Sequence, residues 1–235
     1  MRFETPLTPA RLIKRYKRFL SDAALESGEQ VTVVCPNTGS MMGLAEPGFM
    51  VYLSRSANPA RKYAWTWEAT EQPDVGLVGV NTGLANRLAE EAISSGLLPT
   101  LAGYSSIRRE VKYGENSRID FLLESHGRPP CYVEVKSVTL FRSPELAEFP
   151  DCVTARGAKH LLELARMAES GARSVMIYLI QNPAARRFAL AGDLDRAYFT
   201  ASGKARIAGV EAFAFACEVS EDGITPVREV EIVEQ

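Results

Sequence analysis

The chain has 235 residues, of which 46% are hydrophobic and 24% charged, and its formal net charge is −2 at pH 7. This near balance argues against a uniformly cationic nucleic-acid binder, and no apolar run approaches the roughly 18 residues of a membrane-spanning helix. The N-terminal segment is basic but lacks the apolar stretch of a secretory signal, so we expect a cytoplasmic protein without a membrane partner. Four scattered cysteines and only two histidines exclude a CxxC zinc site or a His-rich centre. Any metal would therefore have to be held mainly by carboxylates, which favours Mg²⁺ or Mn²⁺.

The first distinctive segment is the basic run RLIKRYKR at 11–18. Residues 1–70 contain nine Lys and Arg against six Asp and Glu, so positive charge is concentrated in this part of the chain. Such a run can neutralise nucleic-acid phosphates, although a solvated surface strand or arm would have the same composition. The candidate nucleic-acid contacts are Arg11, Lys14, Arg15 and Arg18.

The first eighty residues are predicted to form short β-strands separated by turns rich in Gly, Pro and Asn. The segments lie around 12–20, 31–35, 50–54, 63–70 and 75–80. This pattern is typical of a small β-barrel or sandwich, and barrels of the OB type bind single strands by stacking bases on aromatic side chains. Candidate stacking residues are Tyr52, Tyr63, Trp65 and Trp67, for which burial in the core is the alternative.

From Thr82 onward the pattern becomes that of an α/β domain with a mixed sheet, so we predict a domain boundary near Asn81, with domains at 1–81 and 82–235. The predicted elements are a helix at 82–96, strands at 107–113, 117–124 and 131–138, a helix from about Thr154 to Ser170, a buried strand at 174–180, and one or two strands within 210–233.

Two strands of this domain carry charged residues that suggest a metal site. A hairpin centred on Gly127 would pair Asp120 with Glu134, and directly opposed side chains in a ladder lie only about 4.5–5.5 Å apart at Cβ. Two such carboxylates are tolerated when a cation lies between them. Lys136, two residues beyond Glu134, emerges on the same face and is placed to stabilise charge on a phosphate. A charged, solvated sheet face is the alternative.

Both predicted helices offer further candidate residues. Glu91 lies at the edge of the apolar arc of the first helix and is a candidate third metal ligand, whereas Glu90 points further towards solvent. Around the start of the second helix, Thr154 is a predicted N-cap, and a helix N-terminus is a natural phosphate site. Arg156 and Lys159 are candidate nucleic-acid contacts, with Asp151, Thr154 and His160 as accessory residues; a structural role for His160 is the alternative.

At these residues the sequence resembles the sugar fermentation stimulation protein family. The resemblance covers nearly the whole chain. It is carried by CPNTGSM at 35–41, RKYAWTWE at 61–68, NRLAEEAI at 86–93, GYSSIRREVKYGENSRIDFLL at 103–123, CYVEVKSVTL at 131–140 and FPDCVTARGAKHL at 149–161.

The resemblance implies an N-terminal OB-like barrel and a C-terminal domain similar to the PD-(D/E)XK nucleases. In that core, Asp120 would be the acidic residue of the second strand, Glu134 and Lys136 the E-x-K pair, and Glu91 the helix carboxylate. It also implies sequence-nonspecific DNA binding and regulation of maltose and sugar metabolism. The alternative function is Mg²⁺- or Mn²⁺-dependent hydrolysis of DNA or RNA. A third possibility for the function is that of a small-molecule enzyme or a protein-interaction module. The sequence does not indicate the oligomeric state.

Overall fold

The N-terminal part of the chain forms a closed β-barrel. In the computed structural model, which describes residues 1–114 and 117–233, its strands are β1 (Thr8–Tyr16), β2 (Leu20–Leu25), β3 (Gln30–Val34), β4 (Met50–Arg55), β5 (Trp65–Gln72) and β6 (Gly76–Gly79). Five strands follow the order β3-β2-β1-β4-β5, and a parallel pairing of β3 with β5 closes the ring. This is the strand order of an OB barrel, so the predicted fold of this part is confirmed.

The predicted strand at 12–20 is interrupted, which corrects the sequence interpretation of the basic run. Lys17 and Arg18 have positive φ angles of 52° and 63°, the left-handed conformation found in tight turns. Because of this turn, the run spans the end of β1 and the hairpin that leads into β2. The sequence pattern did not reveal β2 as a separate strand.

The rest of the chain builds a mixed sheet, as predicted, and this sheet has nine strands with helices on both faces. Its elements are α1 (Ala85–Ser94), β7 (Ser106–Tyr113), β8 (Ser117–Glu124), β9 (Cys131–Val138), β10 (Leu140–Ser143), β11 (Leu146–Phe149), α2 (Ala155–Glu169), β12 (Arg173–Ile180), β13 (Arg187–Leu190), α3 (Arg196–Ile207), β14 (Glu211–Val219) and β15 (Ile224–Ile232). Short 3₁₀ turns lie at Thr82–Leu84 and Pro99–Leu101. The strand order is β10-β11-β13-β15-β14-β12-β9-β8-β7, with β12 parallel to both β9 and β14.

Two apolar clusters hold the helices on the sheet. The stripe of α1 that includes Leu88 and Ile93 packs in one cluster with Phe121 and Val133. Leu161 and Leu164 of α2 belong to the other. Burying each such side chain contributes roughly 1.5–3 kcal/mol, so both helices are firmly placed. Within the described residues, no helix is long and apolar enough to cross a membrane.

Candidate functional site

A polar cleft of about 200 Å³ lies where β7, β8 and β9 meet the N-terminus of α2. It contains the three residues that the sequence singled out on the hairpin and three of the candidates around α2. Its lining residues are Glu110, Arg118, Asp120, Glu134, Val135, Lys136, Thr154, Arg156, Gly157 and His160. Asp120, Glu134 and Lys136 therefore share one site instead of a solvated sheet face.

The β8–β9 hairpin has the predicted register but ends its ladder just before the acidic pair. Phe121 pairs with Val133, which centres the hairpin on Gly127. One step further along, the Asp120 carboxylate has turned to accept a hydrogen bond from the backbone of the other strand, with 2.7 Å between Val135 N and Asp120 Oδ2. The strands thus separate at the site, and this opening makes room for the cleft.

Asp120 is fixed by neutral donors. Its Oδ1 accepts a hydrogen bond from the side-chain amide of Asn86 in α1, 2.8 Å away, and its Oδ2 is held by Val135. Burial and the nearby charge of Glu134 raise the pKa of Asp120 above its usual value. A cation beside these two carboxylates would relieve that repulsion.

Glu134 lies between Lys136 and His160, and both side chains contact its carboxylate. The Lys136 ammonium is 2.6 Å from Glu134 Oε1, and His160 Nδ1 contacts the same oxygen. Burial alone would raise the pKa of Glu134, but the His160 hydrogen bond and the charge of Lys136 lower it below its ordinary value. Glu134 is therefore ionised at neutral pH.

The other oxygen of Glu134 marks the place where a ligand fits. Glu134 Oε2 is buried and has no hydrogen-bond partner. An ionised carboxylate oxygen without a partner is costly inside a protein. Within residues 1–114 and 117–233, no three His, Cys, Asp or Glu side chains form a complete ligand set. Mg²⁺ commonly takes one or two carboxylates and completes its shell with water and substrate phosphate, so Asp120 and Glu134 fit such an ion.

The N-terminus of α2 forms the opposite wall of the cleft. Thr154 is its N-cap, as predicted, and accepts a hydrogen bond from Gly157 N at 3.1 Å. Arg156 is exposed and lies over His160, with 3.3 Å between Arg156 Nε and His160 Nε2. Lys159 does not line the cleft, and its ammonium lies 3.6 Å from the buried Glu163. Arg156 is thus the better placed of the two cations for a ligand in the cleft.

The helix carboxylate expected from the resemblance does not reach the cleft. Glu91 accepts a hydrogen bond from the Met1 ammonium, with 2.7 Å between Met1 N and Glu91 Oε2. The same ammonium donates to the carbonyl of Ile224. Glu91 therefore does not join Asp120 and Glu134 in this structure, because its position on α1 faces the chain terminus. Asn86, five residues closer to the start of the chain, is the residue of α1 that contacts the site, through Asp120.

The basic run divides into structural and exposed cations. Arg15 is a structural residue, because its guanidinium donates to four backbone carbonyls. They belong to Arg18, Asn37, Gly39 and Ser40. Arg11 is exposed and donates to the Gly48 carbonyl. Lys14 is largely exposed and lies 3.6 Å from Asp22. Arg18 is exposed in the β1–β2 turn.

Of the aromatic side chains proposed for base stacking, Trp67 is ruled out by burial. It is fully buried, and its indole N–H is used by Ala69 O and Thr70 Oγ1. Trp65 and Tyr63 are partly exposed, with cationic groups of Arg55 and Lys62 over their respective rings. The core alternative therefore holds for Trp67.

Among the polar side chains that line the cleft or contact its residues, three were not selected from the sequence: Asn86, Glu110 and Arg118. A signal for Glu110 was present, because the register of β7 against β8 pairs residue 109 with 121 and residue 111 with 119, which places residue 110 across from residue 120. Asn86 had no such signal, since a polar residue in the first turn of a helix is unremarkable in a sequence.

Comparison with known proteins matches both parts of the chain to one family. The model described as "Sugar fermentation stimulation protein RE domain" matches residues 83–223, and the one described as "SfsA N-terminal OB domain" matches residues 13–80. The chain is similar to the sugar fermentation stimulation protein homologue of Agrobacterium fabrum, at 56% identity over 96% of this chain and 94% of the relative. The Chelativorans homologue is 55% identical over 99% of both chains.

A solved structure with the same architecture is that of Pyrococcus furiosus SfsA in complex with Ca²⁺. It superimposes with a TM-score of 0.87 at 28% identity, over 99% of this chain and 98% of the other.

Proposed function

This chain belongs to the sugar fermentation stimulation protein family, and from its cleft we propose that it is a divalent-cation-dependent nuclease that hydrolyses phosphodiester bonds in nucleic acid. The proposal is carried by one observation: Asp120, Glu134 and Lys136 share a polar cleft in which Glu134 presents a buried, unpaired oxygen. Two carboxylates and an ammonium in one cleft are suited to phosphoryl chemistry.

Cation binding is supported by the donor set and by the related structure. Asp120 and Glu134 supply the oxygen ligands that hard divalent cations prefer. The similar Pyrococcus furiosus protein was solved in complex with Ca²⁺, which has the same preference for oxygen. We propose Mg²⁺ or Mn²⁺ as the catalytic ion of this chain.

The residues around the cation site have distinct roles in the proposed hydrolysis. A divalent cation held there supplies Lewis-acid polarisation of a phosphodiester oxygen. The Lys136 ammonium would exchange its contact with Glu134 for a hydrogen bond to a phosphoryl oxygen on which negative charge develops. Arg156 and the N-terminus of α2 bind the neighbouring phosphate. A water oxygen bonds to phosphorus while the bond from phosphorus to the sugar oxygen breaks. The water gives up one proton to solvent and the departing sugar oxygen takes one up, so the net reaction consumes one water molecule.

A basic edge of the barrel extends this surface. Ser40 Oγ donates to the backbone carbonyl of Asp151, 2.8 Å away, and Arg15 joins the loop of Ser40 to the β1–β2 turn at Arg18. The turn is therefore linked through two contacts to the segment that precedes α2. We propose that a nucleic-acid backbone runs from the cleft towards Arg18, contacted by phosphate-binding cations from both domains.

Cleavage assays with matched variants test the proposal. Wild-type protein is incubated with single- and double-stranded DNA and RNA in Mg²⁺ or Mn²⁺, beside Glu134→Gln and Lys136→Met. Glu124→Gln and Lys204→Met are the controls, since neither residue lines the cleft. We expect the two cleft variants to lose at least about 100-fold in rate and the controls to retain activity. Equal cleavage by all variants would assign the activity to a contaminant.

DNA binding without cleavage, in a role connected with sugar metabolism, is the second candidate function. This function is favoured because Lys136 and His160 both contact Glu134 Oε1. That carboxylate oxygen is therefore not available to ligate a cation. The same assay separates the two functions. Salt-sensitive retention of DNA with no cutting in either metal would favour the binding protein and contradict the nuclease.

A further inference from the structure

Glu110 has a backbone conformation that is unusual for a strand residue. Five non-glycine residues among those described have positive φ, and four of them lie in turns or loops: Lys17, Arg18, Met41 and Glu145. Glu110, with φ 54°, lies inside β7. Side chains with a Cβ avoid this region, and such residues persist where the surrounding structure fixes them, often at functional sites.

The strand register places this distortion at the cleft. Arg109 pairs with Phe121 and Val111 pairs with Ile119 on either side, which puts Glu110 directly across from Asp120. The regular pairing is missing at this one step and resumes on both sides. The regular pairs on both sides of this step therefore hold the backbone of Glu110 in its left-handed conformation.

The Glu110 side chain is available for a ligand. It is exposed and lines the cleft together with Asp120 and Glu134. In the described part of the chain, no hydrogen bond or ion pair engages its carboxylate, in contrast to the neighbouring Arg109, which pairs with Glu90. Glu134, on the other wall, contributes its buried and unpaired Oε2.

We propose that Glu110 is the third acidic ligand of the cation site and supplies, from β7, the carboxylate that Glu91 does not supply from α1. This inference rests on the proposed function. A free side chain opposite Asp120 can turn towards a cation shared by Asp120 and Glu134. The left-handed backbone of Glu110 then belongs to the cation site, and it interrupts the regular pairing of β7 with β8 at this step.

Calorimetric titration with Mn²⁺ alone tests the assignment without an activity readout. Glu110→Gln is compared with wild type, Asp120→Asn and Glu145→Gln; Glu145 is the matched control because it also has positive φ but lies in the β10–β11 turn. We expect Glu110→Gln to weaken binding at least about 10-fold and Glu145→Gln to leave it unchanged.

The outcomes separate this inference from the proposed function. If wild type binds Mn²⁺, Asp120→Asn abolishes binding and Glu110→Gln binds like wild type, the cation site stands and Glu110 is not a ligand. If wild type does not bind Mn²⁺, both proposals fail.

Glu110→Gly separates ligation from backbone strain. Glycine adopts positive φ freely, so this variant should melt roughly 2–4 °C higher than wild type in the absence of metal. If Glu110 is a ligand, the same variant should lose Mn²⁺ affinity as Glu110→Gln does. A stabilised variant with wild-type affinity would reduce Glu110 to a strained strand residue and overturn the proposal.

Discussion

The backbone N–H of Met41 in the barrel donates a hydrogen bond to Asp151 of the second domain, with 3.0 Å between Met41 N and Asp151 Oδ2. Ser40 Oγ donates to the backbone carbonyl of the same aspartate. Asp151 lies three residues before the N-cap of α2, whose first turn lines the cleft. Asp151, chosen from the sequence as an accessory site residue, thus joins the barrel to the segment before α2. It does not line the cleft.

Gly39→Ala should disturb this junction. An added Cβ would lie 2.8 Å from Asp151 Oδ1 and closer still to Asp151 Oδ2. Both distances are shorter than a normal van der Waals contact. We expect a loss of about 1–3 kcal/mol in the free energy of unfolding, measured by urea denaturation. Gly203→Ala is the control, because nothing lies within 4 Å of its added Cβ and alanine is the better helix former.

A double-mutant cycle shows whether the loss comes from the approach of this Cβ to Asp151. In an Asp151→Ala background the carboxylate is gone, so Gly39→Ala should destabilise the protein less, by at least about 0.5 kcal/mol. Equal losses in both backgrounds would mean that Gly39 is required for a reason other than Asp151.

The basic run should separate into one structural and two binding cations. Arg15→Lys keeps the charge but cannot reach four carbonyls, so we expect it to lose roughly 2–3 kcal/mol of stability. Lys14→Gln with Arg18→Gln should leave stability within about 0.5 kcal/mol of wild type. It should also reduce the slope of log affinity for DNA against log salt by about 0.9 for each phosphate that the variant no longer neutralises.

Anisotropy titrations between about 50 and 200 mM salt measure that slope. An unchanged slope in the Lys14 and Arg18 double variant would remove both residues from the nucleic-acid interface. Wild-type stability in Arg15→Lys would contradict the structural role of Arg15.

Local pattern was sufficient for those elements whose residues carry a strong periodic signal. The predicted strands at 117–124 and 131–138 match β8 and β9, and Thr154 is the N-cap of α2 as predicted. The missed elements lack such a signal. Strands β10, β11 and β13 have only four residues each, and the sequence of α3, RAYFTASGKARI, has no clear apolar stripe.

The site was predictable to the extent that it depends on one hairpin. Asp120, Glu134 and Lys136 are brought together by a register that the turn at Gly127 determines. The contributions of Asn86 and His160 depend on how separate helices pack against the sheet, which a single sequence does not encode locally. The left-handed backbone of Glu110 arises from tertiary constraint, because nothing about a glutamate favours positive φ.

Asp120→Asn should gain stability relative to wild type as the pH rises from 3.5 to 7. Burial and Glu134 raise the pKa of Asp120, so its ionisation opposes folding. That penalty is absent below the unfolded pKa of about 3.9 and is present in full once the pH exceeds the folded pKa. Asparagine has one acceptor oxygen, whereas Asp120 accepts from both Asn86 and Val135, so the variant also loses one of these hydrogen bonds. Urea denaturation in EDTA should therefore show a stability difference that shifts in favour of the variant between pH 3.5 and pH 7. A difference that does not change with pH would contradict this assignment.

Glu134→Gln should behave in the opposite way. His160 and Lys136 lower the pKa of Glu134 despite its burial, so the ionised carboxylate supports folding. A group with a lowered pKa contributes stability above its unfolded value of about 4.3, and this contribution is lost as the pH falls through its folded pKa. The variant should therefore be less stable than wild type at pH 7, by about 1 kcal/mol or more, and the difference should shrink in acid. A constant difference across pH would indicate a packing effect.

Glu91 provides the sharpest test of how the helix contributes to the site. Its carboxylate is engaged with the Met1 ammonium, so Glu91→Gln should weaken that anchor and cost about 1 kcal/mol of stability. It should leave the affinity for Mn²⁺ unchanged in the calorimetric titration. Glu90→Gln is the control for a neighbouring helix carboxylate, since Glu90 pairs with Arg109 outside the cleft lining. A tenfold loss of Mn²⁺ affinity in Glu91→Gln alone would mean that Glu91 leaves Met1 to ligate the cation, and that the helix, as the family resemblance implied, completes the site.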